Sequence, residues 1–264
     1  MSPLAALGFA AACHLALQLI VSAFALARGV ALDIVTLGAA EALAYVGTTF
    51  VVLRIYEHGS SSRSGLGLRP TALGLAGVGF VLGLALKLPA ESLTAVVERF
   101  FPPSDSELLA RSALFRTENL RQVIGLTLVA CLVAPLVEEL FFRGALYGRL
   151  AKTSASRAAV VTGFAFVVMH SDVRHWPALI VVAVVLGYLR VASGSVLPCL
   201  CLHVAFNATG VLALVSGVAS PTRPLELSFV WVAASWVMTA VLVAGLLRLA
   251  DEPGAARARA EDRG

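Results

Sequence analysis

One stretch of this chain puts three ionisable side chains where only apolar ones are expected. It reads Ala134-Pro135-Leu136-Val137-Glu138-Glu139-Leu140-Phe141-Phe142-Arg143-Gly144. Two later apolar runs carry further polar groups, ending in His170 and spanning His203-Val204-Ala205-Phe206-Asn207. An ionisable group inside hydrocarbon is costly, so it faces a polar partner or water and marks function. On a helix Glu139 and Arg143 are four apart and share a face, where they can pair. Glu138 lies about 100° further round. It is therefore free of the arginine and suited to take a proton as a general base. His203 and Asn207 are also four apart, so both can donate hydrogen bonds in one direction. Together these groups suit the hydrolysis of a peptide bond. Glu138 takes the proton of a water held by His170, His203 and Asn207 donate to the developing oxyanion, and Glu139 with Arg143 fixes the helix.

The elements that must position these groups are spanning helices. Of the 264 residues 59% are hydrophobic and 14% charged, with a mean hydropathy of +0.88. Soluble domains are roughly 45–50% apolar and about 25% charged. So much apolar surface needs a bilayer as its solvent. Eight runs approach the roughly 20 residues that a spanning helix needs. They lie at 3–27, 33–56, 71–90, 122–148, 156–171, 176–191, 194–216 and 228–249. They are too long and too uniformly apolar for barrel strands. The expected fold is an all-α, polytopic transmembrane bundle of about eight spanning helices. At ~1.5 Å per residue, Glu138, His170 and His203 fall at depths of roughly 15, 21 and 12 Å from one membrane face, which places all three near mid-membrane.

The remaining segments are connections. Residues 59–65 form a polar, turn-rich loop. Residues 91–121 read as an amphipathic surface connector broken at Pro102 and Pro103, with a lid over a substrate path as the alternative. Residues 251–264 read as a disordered tail. The domains expected are N-terminal helices with the connector over 1–121, a catalytic core over 122–215, a last helix over 216–250 and that tail. The run at 3–27 is longer than a signal-peptide core and reads as a retained helix. Loop arginines favour both termini inside. The net charge of +4 is scattered, with no basic stripe, and argues against a nucleic-acid partner. Cys13, Cys131, Cys199 and Cys201 sit in apolar segments and read as small buried hydrophobes.

The motif set Glu-Glu-x-x-x-Arg, Phe-x-x-x-His and His-x-x-x-Asn, in this order on separate hydrophobic segments, resembles the CPBP family of intramembrane proteases. That family includes the CAAX prenyl endopeptidases and bacteriocin-processing or self-immunity proteins. The matching residues are Glu138, Glu139 and Arg143, then Phe166 and His170, then His203 and Asn207. The resemblance covers about residues 120–215. It implies a glutamate-dependent intramembrane endopeptidase acting on a membrane-associated peptide or protein. The family is often described as metalloproteases. Here no cofactor is required by the residues, because a glutamate alone can activate water. Zinc held by Glu138, His170 and His203 is the alternative. The Arg-over-Lys, Ala-rich composition points to a multi-pass protein of a bacterial plasma membrane. Its substrate is then expected to be a peptide, propeptide or C-terminal sorting signal rather than a prenylated protein. Two rival readings are a non-proteolytic immunity or regulatory protein and a proton-coupled transporter, although the chain shows no repeated halves. His14, Gln18, Glu41 and Lys87 are read as helix–helix hydrogen bonding or snorkelling groups.

Overall fold

The computed structural model describes residues 1–28, 33–56, 65–71, 73–222 and 227–251, and every regular element among them is helical. In chain order these are α1 (Pro3–Arg28), α2 (Ile34–Tyr56), α3 (Leu73–Phe100) and α4 (Asp105–Leu114). A long fifth helix, α5, runs Leu120–Leu150. It is followed by α6 (Ala155–Met169), α7 (Trp176–Ser193), α8 (Leu197–Val215) and α9 (Phe229–Asp251). Seven helices are long and apolar enough to cross a membrane, and α6, with 15 residues, is a shorter apolar helix. Large side chains such as Leu19, Val160, Val184 and Trp231 point outward and exposed, as lipid-facing residues do. The chain is a multi-pass helical membrane protein.

The structure redraws three boundaries. Helix α3 does not stop at residue 90 but continues through Pro89 to Phe100. Proline cannot donate to the carbonyl four residues earlier, which here is Ala85. Ser235 of α9 supplies the missing donor, its Oγ lying 2.6 Å from the Ala85 oxygen. With that carbonyl satisfied the helix runs on, and the connector shrinks to Phe101–Ser104, α4 and the short stretch before α5. Helix α6 ends at Met169, so His170 sits just beyond it in extended backbone. The 59–64 part of the polar loop and the tail from 252 lie outside the described residues.

The bundle is organised around α3 and α5. Helix α8 packs along α3, and α9 and α7 flank the same helix; α2, α6 and α8 surround α5. The α3–α8 crossing is close because Gly79 and Gly83 are four apart and offer no side chain. A Cβ at Gly79 would collide with the Pro198 carbonyl oxygen, and one at Gly83 would lie 2.8 Å from Ala205 Cβ. Small residues at this spacing let helix backbones meet in lipid. Leu202, Ala205 and Phe206 surround the contact, so the crossing also sets the depth of His203. Gly83→Val is expected to destabilise the protein by about 1–3 kcal/mol through overpacking. Unfolding in detergent micelles measures this, and an unchanged midpoint would remove the crossing from the list of contacts that matter.

Candidate active site

Helix α5 is not a plain α-helix. Wider π-turns at Val129–Val133 and Leu140–Leu146 bracket the α-helical segment Ala134–Glu139, which carries both glutamates. Such bulges are frequent at functional sites. Each leaves a carbonyl in need of a donor, and each donor comes from another helix. In the first turn the Ala134 N–H bonds back to Val129 O, and Pro135 has no N–H to give to Ala130. Asn207 Nδ2 on α8 donates to the Ala130 carbonyl at 2.8 Å instead. In the second turn Arg190 Nε on α7 donates to the Arg143 carbonyl at 2.8 Å.

Between the bulges the two glutamates point apart. Glu139, with no exposed surface, accepts from Arg143 at 3.0 Å and from His203 Nδ1 at 3.0 Å on the same oxygen. The Arg143 guanidinium lies 4.5 Å from the centre of the Phe166 ring. The Phe166 ring also packs on His170 and edge-on to His203, with centroids 4.8 and 6.0 Å away. One continuous cluster thus joins Glu139, Arg143, His203, Phe166 and His170. Its histidines are held in defined orientations. His170 Nδ1 donates to the Phe166 carbonyl at 2.8 Å, which leaves Nε2 of the neutral ring as an acceptor. Trp176 Nε1 holds the His170 carbonyl at 2.9 Å. Because Nδ1 of His203 serves the Glu139 carboxylate, its Nε2 is the edge left for a ligand.

Glu138 belongs to a different neighbourhood. It is buried and away from Arg143, as the helical spacing predicts, but it is not solitary. Glu41 on α2 is among the charged groups that act on its carboxyl, while its Oε2 has no protein partner. Cys13 of α1 and Tyr45 of α2 lie close by. Asn207 has one amide hydrogen committed to the first bulge. Glu41 reads from the sequence as a helix–helix hydrogen-bonding or snorkelling group, with a place along a substrate path as the alternative; it lies on the helix that packs against the Glu138 segment. The bulges had a weak sequence signal in Pro135.

Among the described residues no three His, Cys, Asp or Glu side chains are grouped to hold a metal.

Basic residues also serve inside the protein rather than only in surface loops. Arg149 and Arg190 are both buried. Arg149 donates to the Gly65 carbonyl, and the Arg190 guanidinium stacks 4.5 Å from the Tyr147 ring centre. The segment that they hold is pinned further by Ser195 Oγ on the Arg69 carbonyl.

At the His170 end, α4 is clasped to the loop before α7. A capping box between Ser104 and Glu107 starts the helix. Arg111 reaches Glu98 at 3.0 Å and Asp172 at 2.8 Å, and Arg174 bridges Asp172 and Glu107. Bonds from Arg174 and Ser104 hold the Glu107 carboxyl down at about 2. Burial alone would raise Asp172, but bonds from Arg174 and Arg111 outweigh it and bring that group also to about 2. Both are depressed below ordinary values of 4.5 and 3.8, so the clasp is intact above about pH 4 and is lost as pH falls towards 2. A spin label at exposed position 109 is expected to gain mobility only in that window; mobility rising already near pH 6 would contradict the clasp.

Residues 120–209, which run from the start of α5 into α8 and contain all six candidate residues, match the family model described as Type II CAAX prenyl endopeptidase Rce1-like. No curated protein and no solved structure matches the chain.

Proposed function

We propose that this chain, a CAAX-type intramembrane protease by the family of its residues 120–209, cleaves membrane-associated polypeptides with a water activated by Glu138. The observation that carries this reading is the division between the two buried glutamates. Glu139 is tied to Arg143 and His203, whereas Glu138 keeps an oxygen without a protein partner. Glu138 takes one proton from water, and the hydroxide formed attacks the carbonyl carbon of the scissile bond. The Nε2 of His170 accepts the other water hydrogen and orients the attack. His203, held through Nδ1 by the Glu139 carboxylate, presents its Nε2 edge to the oxyanion, and the second amide hydrogen of Asn207 assists. As the C–N bond breaks, the proton held by Glu138 passes to the leaving amine, so the enzyme returns to its starting state.

No step here is routed through a metal; in support, no three His, Cys, Asp or Glu side chains are grouped to hold one among the described residues. The substrate proposed is a peptide, propeptide or C-terminal sorting signal at a bacterial plasma membrane. The test uses purified protein in liposomes with three reporters: a farnesylated CAAX-type peptide, a lipid-anchored peptide and a single-span peptide with a C-terminal tail. Cleavage of at least one, undiminished by a chelator, is expected. Cleavage that stops with the chelator and returns with zinc would overturn the metal-free mechanism.

A further inference from the structure

Helix α3 lies outside the segment that matches the family, yet one of its faces turns polar in its second half. Because the helix runs on to Phe100, roughly 20 Å of it follows Lys87. Lys87, Glu91, Thr94 and Glu98 recur at intervals of four, three and four, so they fall within about 60° of one another around the helix. Val96, exposed and apolar, falls on the side directly opposite Lys87 and faces lipid. Each member of the polar row is engaged. Lys87 Nζ lies 2.7 Å from Glu91 and 4.8 Å from the centre of the Phe206 ring. Thr94 is buried, with its Oγ1 3.3 Å from His175 Nδ1, and Glu98 accepts from Arg111 at 3.0 Å.

The row has a defined place beside the candidate site. Helices α3 and α8 run parallel: Gly79 meets Pro198, Gly83 meets Leu202, and Lys87 meets Phe206 and Gly210. A Cβ at Gly210 would lie 3.0 Å from Lys87 Nζ, so the bare glycine gives the ammonium its room. The row therefore begins at the level of Asn207. It ends about 16 Å further along at Glu98, which Arg111 joins to Asp172 in the loop after His170. The Lys87 and Glu91 side chains keep 19% and 35% of their surface exposed even while paired. Charged groups within an apolar span face water or a polar partner rather than hydrocarbon. Hydrolysis consumes one water at each turnover, and Glu138, Glu139, Arg143 and His203 are all buried. We propose that this face of α3 is the wall of a hydrated passage, which admits water to the site from the membrane face at the His170 end. Lys87 and Glu91 line its inner end, and the clasp of α4 stands at its outer end. The purpose of the passage rests on the hydrolytic reading; its existence does not.

Thiol labelling of the reconstituted, substrate-free protein therefore tests the passage without any cleavage. Cys201→Ala leaves the native cysteines all buried. In that background Glu91→Cys, Thr94→Cys and Val96→Cys are each treated with a small charged methanethiosulfonate, which reacts with thiols in water. Reaction at 91 and 94 and none at 96 is expected. Reaction at all three would place this stretch of α3 wholly outside the bilayer and overturn the passage, as would reaction at none. Hydroxyl-radical footprinting of the wild type needs no variant to fold: it is expected to oxidise Phe206 and spare Val96, and the reverse pattern overturns the proposal. In the cleavage assay, labelled Glu91→Cys is expected to lose the turnover of its unlabelled form and to recover it with a reductant. Equal turnover before and after labelling overturns the link between passage and site. Failure of the proteolytic reading is separate: it appears as no cleavage by the unlabelled wild type, whatever the labelling pattern.

Discussion

Glu138→Gln is expected to lower turnover by about 10²–10⁴, the range contributed by a positioned general base, with KM nearly unchanged. Glutamine keeps the length and shape of glutamate, so the helix segment between the two bulges has no reason to move. What it loses is the ability to accept a proton from water. The change falls on kcat because the lost interaction is made in the transition state. Stability is expected to hold or rise, since a buried ionisable group becomes a neutral amide. Steady-state kinetics and unfolding midpoints on one preparation check both halves. A rise in KM at constant kcat would reassign Glu138 to substrate binding.

Arg143→Leu is expected to be the most destabilising single change, at about 3–5 kcal/mol. Arg143 is 1% exposed, and its charge is matched by Glu139 at 3.0 Å. Removing it leaves a fully buried carboxylate with His203 as its remaining partner and takes away the cation stacked on Phe166. The double variant Glu139→Gln with Arg143→Leu removes both charges and is expected to cost less than the single change. Such a sign of coupling separates a buried ion pair from simple loss of packing. Additive costs, or a single-variant cost under about 1 kcal/mol, would place this pair with weakly coupled surface pairs.

Much of this architecture was legible in the residues. Hydropathy alone required an all-helical bundle, and helical spacing separated Glu138 from the Glu139–Arg143 pair. The i, i+4 rule did not anticipate that the Asn207 amide would donate to the Ala130 carbonyl. That bond exists because a π-turn and a proline coincide, and a π-turn has no clear residue preference to read. The end of α3 was misplaced because proline ordinarily stops a helix, and the rescuing donor, Ser235, is 150 residues away. Glu41 was visible as an acidic residue in an apolar run, but its placement depended on which face of α2 meets α5. The clasp of α4 over Asp172 depended in the same way on the tertiary placement of charges far apart in the sequence.

The most direct measurement incubates reconstituted protein with a membrane-embedded peptide in water enriched in heavy oxygen and reads the products by mass spectrometry. The account predicts one cut peptide bond, heavy oxygen in the new C-terminal carboxyl group, and product from Glu138→Gln formed at least about a hundredfold more slowly. An uncut peptide with folded wild type, or the same labelled product at the same rate from Glu138→Gln, would contradict it.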